Sequence, residues 1–333
     1  MSVLSQARYF SIQSALAITG LIFWSTACGS AGAAGAKGAD RVETPPVKLT
    51  IFAAASLSEV MDEIVPEFTG QLTETVPAVS LDLNLAGSQE LRTQLQHGAK
   101  GDVFLSADSR QMEMAVLAGL VQGKPINFTT NNLVVIVAKS QEPAGASEQP
   151  PGGQSQSNPP HITALKDLAG PGVSLALALP QVPAGAYARD AIQELEAVVG
   201  ADVEDYASRV MANVVTLETN VRGVAMKVAL GEVDAGIVYL TDARAQFVAE
   251  NTRQIPIPPE ANQQAKYLAA AIMDSPQPDL AEQFVEFLLS PQGQTILRSH
   301  EFGPLPPLTQ ENTGETWSLP DAAPAASFGL AGN

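Results

Sequence analysis

From residue 47 onward the chain alternates short apolar runs of strand character with segments whose apolar residues recur at helical spacing. This alternation constrains the fold more than any other feature. Strand, helix and strand in close succession force crossover connections and a sheet covered on both faces. Residues 48–54 are β-rich, and 56–68 carry a helical stripe through Leu57, Val60, Met61, Ile64, Val65 and Phe68. Residues 79–86 alternate as a strand. Residues 88–97 read as a helix with Leu91 and Leu95 inward, which Gly98 ends. A short buried strand over 102–106 and a helix over 109–117 follow. Further strands are expected at 132–138, 173–178, 210–216 and 234–240. Helices are expected at 184–199, 220–230 and from Asp242. A last strand at 266–273 precedes helices at 279–289 and 291–299. The fold class this predicts is α/β, with mostly parallel sheets flanked by helices.

The length of 333 residues suits roughly two domains. Two sets of similar βα units separate near Thr130 and rejoin near Ala265. The expected organisation is a first lobe made of 47–130 and 265–312, with a second lobe, 131–264, inserted into it. The chain then crosses twice between the lobes, at a two-crossover hinge, and ligand pockets favour such interfaces. Residues 141–160 break all periodicity with Pro, Gly, Ser, Gln and Glu and read as a disordered insertion. Residues 313–333 read as a loose C-terminal tail.

The first 28 residues read as a secretory leader. Arg8 precedes an apolar run from Ala15 to Trp24, too short for a transmembrane helix, and Ser25-Thr26-Ala27 supplies small residues before Cys28. Cys28, with Gly29-Ser30 after it, looks like a bacterial lipoprotein attachment site, although Ser25 stands where such sites carry leucine. A plain leader with an incidental cysteine fits the same residues. Residues 29–46 form a flexible tether.

With 18 basic against 35 acidic residues, the formal charge is −17. That argues against nucleic-acid binding, which phosphate neutralisation drives. It also means that any anion site must work at short range. Cys28 is the single cysteine, so an intrachain disulfide is impossible, and His97, His161 and His300 lack metal-ligand spacing. Neither a Gly-x-Ser-x-Gly elbow nor a Gly-x-x-x-x-Gly-Lys loop is present.

Four segments mark junctions between a strand-like run and the next element: Phe52-Ala53-Ala54-Ala55-Ser56-Leu57, Ala86-Gly87-Ser88, Val182-Pro183-Ala184-Gly185 and Gly236-Ile237-Val238-Tyr239. None contains Lys, Arg, His or a carboxylate. Each offers hydroxyls or free backbone N–H groups at a strand exit or helix entrance, where the helix dipole favours negative charge. Ser56 and Ser88 alone would read as ordinary helix caps, Pro183 as a helix-start proline, and Tyr239 as a packing residue. A fifth helix start, Asn220-Val221-Arg222-Gly223, offers the Val221 N–H. Its Arg222 reads as a partner in a surface or interlobe salt bridge. Together the segments describe neutral donors suited to a small ionised oxyanion.

These segments are similar to those of the periplasmic molybdate-binding proteins of bacterial ABC importers. The match runs through Phe52–Leu57, Gly101–Asp108, Val182–Ala188, Val221–Val224, Gly236–Tyr239 with Asp242-Ala243, and Pro291-Gln292-Gly293. It spans about residues 47–304. The resemblance implies a type II periplasmic binding protein fold and no catalytic residue. It implies that Ser56, Ser88, Ala184, Val221 and Tyr239 hold molybdate or tungstate, with no protein atom bonded directly to the metal and no cofactor. It also implies an ABC permease as partner, a monomer, a place in the periplasm or on the outer face of the cytoplasmic membrane, and lipid attachment through Cys28. Gln89-Glu90 departs from the small hydroxyl residues often found there, and Glu90 is expected to face solvent. Sulfate or another oxyanion as ligand, a ligand-sensing module, and a secreted serine hydrolase are the competing expectations.

Overall fold

The computed structural model describes residues 46–72, 79–139, 161–199 and 203–305. The leader, Cys28, nearly all of the tether, the 141–160 insertion and the C-terminal tail lie outside the described residues. In chain order the elements begin with β1 (Val47–Ala54), α1 (Ser58–Leu72), β2 (Val79–Ala86), α2 (Ser88–Gln96), β3 (Val103–Ser106), α3 (Ser109–Leu117) and β4 (Val121–Asn131). They continue with β5 (Leu133–Ala138), β6 (Leu175–Ala178), α4 (Pro183–Val199), α5 (Tyr206–Ala212), β7 (Val214–Glu218), α6 (Val221–Ala229), β8 (Ala235–Tyr239), α7 (Leu240–Arg244), α8 (Gln246–Asn251) and β9 (Thr252–Pro256). The chain then returns through β10 (Ala265–Ile272), α9 (Pro278–Leu289) and α10 (Pro291–Ser299).

Two five-stranded sheets result, ordered β2-β1-β3-β10-β4 and β7-β6-β8-β5-β9. In the first, β1 pairs in parallel with β2 and β3, β10 is antiparallel to β3, and β4 is antiparallel to β10. Four strands therefore run one way and β10 alone is reversed. The second sheet repeats the plan, with β5 reversed between β8 and β9. The expected mostly parallel sheets are thus present, each with one opposed strand. Those opposed strands are the two that carry the chain away from a crossing, β5 after Asn131 and β10 from Ala265.

Both faces of the first sheet are buried, as crossover helices require. Leu49, Ile51, Ala53, Val103 and Leu105 meet Val60, Met61, Ile64 and Phe68 of α1 in one core. The alternate residues Phe52, Phe104, Leu268 and Ala270 meet Leu91, Leu95 and Met112 of α2 and α3 on the other face. Phe68 stands edge-on to Phe284 at 5.1 Å between ring centres and 5.6 Å from Phe287, which fixes α1 against α9.

Three local expectations change. Residues 210–216 do not form one strand. Tyr206, Ala207 and Val210 are buried together at helical spacing in α5, and β7 begins only after Asn213. Asn213 ends the helix by donating from Nδ2 to the carbonyls of Leu168 and Gly170, both at 2.8 Å. Ser56 lies in a 3-10 turn over Ala55–Leu57, and the α-helix starts at Ser58. Strands β4 and β9 had no counterpart in the sequence pattern. β4 carries Gly123, Lys124 and Pro125, residues that break a strand pattern, but it is an edge strand with an irregularity opposite Ala269 and Ala271 that accommodates a proline.

Truncating Phe284 to alanine should cost about 3–5 kcal/mol of stability by opening a cavity between α1 and α9. A denaturant midpoint unchanged by Phe284→Ala would show that this aromatic cluster does not hold the return helices to the first lobe.

Candidate functional site

The strands of both sheets deliver the chain to one place. β1, β2, β6 and β8 end at Ala54, Ala86, Ala178 and Tyr239. Just beyond these carboxyl ends, where open α/β sheets gather ligands, lies a narrow cavity of about 10 Å³, room for roughly one water molecule. Ser56, Ser88, Ala184, Val221 and Tyr239 all line it, so the structure brings together the five residues expected to hold the ligand. All five are buried. The first two belong to the first lobe and the other three to the second. The remaining wall is Ala54, Ala55, Ala86, Gly87, Ala107, Val182, Pro183 and Asn220, so no charged side chain lines the cavity.

Local chemistry explains why donors face inward. Helices α2, α4 and α6 all begin at the cavity wall, and the first-turn N–H groups of a helix have no intrahelical acceptor. At α6 the Asn220 side chain caps Gly223 N–H at 3.0 Å, which leaves the Val221 N–H for the cavity. At α4 the N1 residue is proline, so Ala184 offers the first N–H. Gly185 must be glycine: a Cβ there would stand 2.1 Å from the carbonyl oxygen of Leu179 and 2.5 Å from that of Ala178. Gly87 is similarly confined, since its Cβ would stand 2.7 Å from the Thr219 carbonyl oxygen of the opposite lobe.

The side-chain donors are anchored from behind. Ala107 N–H donates to Ser88 Oγ at 3.0 Å. Ser56 Oγ is 2.7 Å from Tyr267 Oη. Tyr239 Oη is buried with no hydrogen-bond partner, and burial raises its ionisation well above the usual tyrosine range, so it keeps its proton. An unpaired buried hydroxyl in a native fold calls for an explanation, and a ligand in the cavity supplies one.

Charged groups sit around the cavity, not in its wall. Arg222 pairs with Glu59 of α1 across the lobes, and its Nη1 lies 3.6 Å from Asp242 Oδ1. The salt-bridge expectation for Arg222 therefore holds. Glu90 is exposed. Gln89, the departure beside Ser88, donates from Nε2 to the Thr219 carbonyl at 3.0 Å, and Gln111 reaches the Gln181 carbonyl at 3.2 Å, so both tie the lobes together. Burial pushes the Asp108 carboxyl up to about 6 against the pull of the Gln111 N–H, the Ser106 hydroxyl and Arg110. Negative charge on the protein is thus disfavoured close to the cavity.

A larger opening lies on another side of Ser56, lined by Glu59, Thr241, Arg244, His300 and Glu301. Its basic groups are already paired, Arg244 with Glu301 and His300 with Glu63, both at 2.9 Å. His97 bonds the Thr93 carbonyl through Nδ1 at 2.8 Å, and His161 is exposed. Among the described residues no cluster of His, Cys, Asp and Glu is arranged to hold a metal ion. The sequence reading missed Tyr267, Asn131 and Ala107, which stand behind the serines. Ala107 lay within the matched Gly101–Asp108 segment, and Asn131 and Tyr267 lay close to the expected lobe crossings, but none was read as a support for the serines.

Two lobes of like topology, closed over a small buried cavity at their strand ends, are the fold of a two-lobed solute-binding protein. The chain belongs to the bacterial extracellular solute-binding protein family, whose model matches residues 49–303. Within that family it is 34% identical over 289 residues to the molybdate-binding protein ModA of Mycobacterium tuberculosis H37Rv, a match covering 87% of this chain and 95% of the relative. Among solved structures it is similar to the periplasmic molybdate-binding protein of Azotobacter vinelandii, with a TM-score of 0.59 at 19% identity over 76% of this chain and 98% of that one. It is also similar to the sulfate-binding protein SubI of Mycobacterium tuberculosis H37Rv, with a TM-score of 0.64 at 17% identity over 82% and 92%. These two likenesses speak for the fold alone.

Asp242 gives the site region a pH signature. Burial raises its carboxyl from 3.8 to about 7; Arg222 pulls it down and Glu59 pushes it up. Both carboxyl oxygens lack hydrogen-bond partners. The unfolded chain releases this proton near pH 3.8, whereas the folded one keeps it to about 7. Asp242 therefore favours the folded state fully below pH 3.8, and that contribution is lost as pH rises to 7. In Asp242→Asn the neutral form is permanent. Urea midpoints should show the variant gaining on wild type from about pH 4 to 7, then levelling off. A difference that does not change with pH would refute this placement of the proton.

Proposed function

We propose that this protein captures molybdate, or tungstate of nearly the same shape, between its lobes and hands it to an ABC permease. The observation that carries the reading is the cavity itself: five buried residues from both lobes, all able to donate, with no charged side chain in the wall. The 34% identity to a named molybdate-binding protein supports the same ligand. The ligands would be the hydroxyls and N–H groups of Ser56 and Ser88, the N–H groups of Ala184 and Val221, and the Tyr239 hydroxyl. The boundaries expected from the sequence, 47–130 with 265–312 and 131–264, are the lobes that would close on it. No step of this function requires a covalent change in the ligand, so none of these residues is assigned a catalytic role.

The physics suits a doubly charged tetrahedral anion. Charge-assisted hydrogen bonds are roughly twice as strong as neutral ones. Helix N-termini add partial positive charge without burying a counter-ion, whose desolvation would cost several kcal/mol. Backbone N–H groups cannot accept a hydrogen bond, so a monohydrogen phosphate O–H facing them would be left unpaired, at a cost of about 1–3 kcal/mol. Sulfate carries no such proton, so discrimination against it would rest on how poorly the smaller tetrahedron spans donors set apart for a larger one.

The protein would work as a monomer in the periplasm or on the outer face of the cytoplasmic membrane, held there by lipid on Cys28. Among the described residues no helix is long and apolar enough to cross a membrane.

Calorimetry with molybdate, tungstate, sulfate and phosphate tests the reading. Molybdate and tungstate should bind tightly, and tight sulfate binding without a molybdate response would overturn the assignment. Ser56→Ala and Ser88→Ala should each weaken molybdate binding by about 1–3 kcal/mol with little loss of stability. Arg222→Ala, which breaks an interlobe ion pair outside the wall, should matter less than either serine.

A further inference from the structure

Behind Ser56 lies a buried chain of hydrogen bonds whose direction can be worked out. It begins at Asn131, the last residue of β4, where the chain crosses to the second lobe. Asn132 N–H donates to Asn131 Oδ1 at 3.0 Å. A backbone N–H can only donate, so this contact fixes which end of the amide is oxygen. Nδ2 therefore faces the Thr241 hydroxyl of the second lobe at 2.9 Å and Tyr267 Oη of the first lobe at 3.4 Å. Tyr267 is completely buried on β10, and burial keeps its phenol protonated. Because Nδ2 can only donate, Tyr267 Oη accepts there, and its single hydrogen is free for Ser56 Oγ at 2.7 Å. The arrangement that uses the Tyr267 hydrogen has Ser56 Oγ accept it, which leaves the serine's own hydrogen for the cavity. Ser88 is in the same state, because its oxygen accepts the Ala107 N–H.

We propose that Tyr267 and Asn131 are positioning residues for ligand binding: they hold Ser56 Oγ as an acceptor from behind, so that its O–H is directed into the cavity before the ligand arrives. The inference rests on Ser56 as a ligand and goes beyond it. Pre-orientation removes the cost of turning the hydroxyl on binding, and a run of aligned donors strengthens its last member. The same amide that orients the site also bonds Thr241, so a residue at the crossing is tied at once to the serine of one lobe and to the opposite lobe.

The test is a double-mutant cycle on the full chain, read by molybdate calorimetry with thermal unfolding of the unliganded variants in parallel. Tyr267→Phe keeps the ring and removes the hydroxyl. It should weaken molybdate binding about tenfold in the wild-type background. In the Ser56→Ala background it should weaken binding no further, because the group it acts through is gone. A purely structural role would lower the unfolding temperature and weaken binding equally in both backgrounds, and that result overturns the proposal, as does unchanged affinity in Tyr267→Phe. If Tyr267→Phe fails to fold, Asn131→Ala serves in its place. It should weaken binding a few-fold, again only while Ser56 is present, and an equal loss without Ser56 overturns the relay. Wild-type protein that binds none of molybdate, tungstate and sulfate overturns the functional reading and the relay with it. Wild-type binding with an insensitive Tyr267 overturns the relay alone.

Discussion

The constraint on which the structure turns is that one small space must look positive without containing a cation. The protein carries a formal charge of −17, so attraction at a distance is unavailable. Three helix starts and two serine hydroxyls are instead aimed at one cavity between the lobes. A helix N-terminus is worth about half an elementary charge, and its effect fades within the first turn. The donors must therefore touch the ligand. That requirement fits the small residues of the wall, Ala54, Ala55, Ala86, Gly87 and Ala184, since larger side chains there would crowd the space between the N–H groups and the anion.

The same requirement explains where charges are allowed. Arg222 sits one residue from a cavity-lining valine, yet it is spent on Glu59 and Asp242. A guanidinium in the wall would hold an anion strongly but would also have to be desolvated, and it would favour any oxyanion alike. Asp108 and Asp242, both buried near the cavity, are pushed toward their neutral forms. The surroundings thus keep net charge low on the protein side, and the dipoles of the wall set the local field.

Much of this was legible in the sequence because it is local. A strand run, a pair of small residues and a helical stripe occupy about twenty consecutive residues, and the five cavity residues all sit at such junctions. What was not legible depends on distant partners or on edge position. Tyr267 stands 211 residues from Ser56 along the chain and belongs to an ordinary-looking strand. β4 escaped the sequence pattern because Gly123 and Pro125 interrupt it, and its edge position with an irregular register permits them. Residues 210–216 misled because Val210, Met211, Ala212, Val214 and Val215 make the stretch largely apolar despite Asn213. The break at Asn213 depends on carbonyls of Leu168 and Gly170 that no local pattern reveals.

The placement of β10 has a consequence for how such a molecule is made. The second sheet uses strands β5 to β9, all from one continuous stretch of chain, and is complete once Pro256 exists. The first sheet has a gap in its middle, between β3 and β4, that only β10 fills. A chain stopped short of Ala265 would carry two raw strand edges facing each other across an empty slot, the kind of surface that invites pairing with foreign strands. About four fifths of the polypeptide must therefore emerge before the half that starts first can be finished.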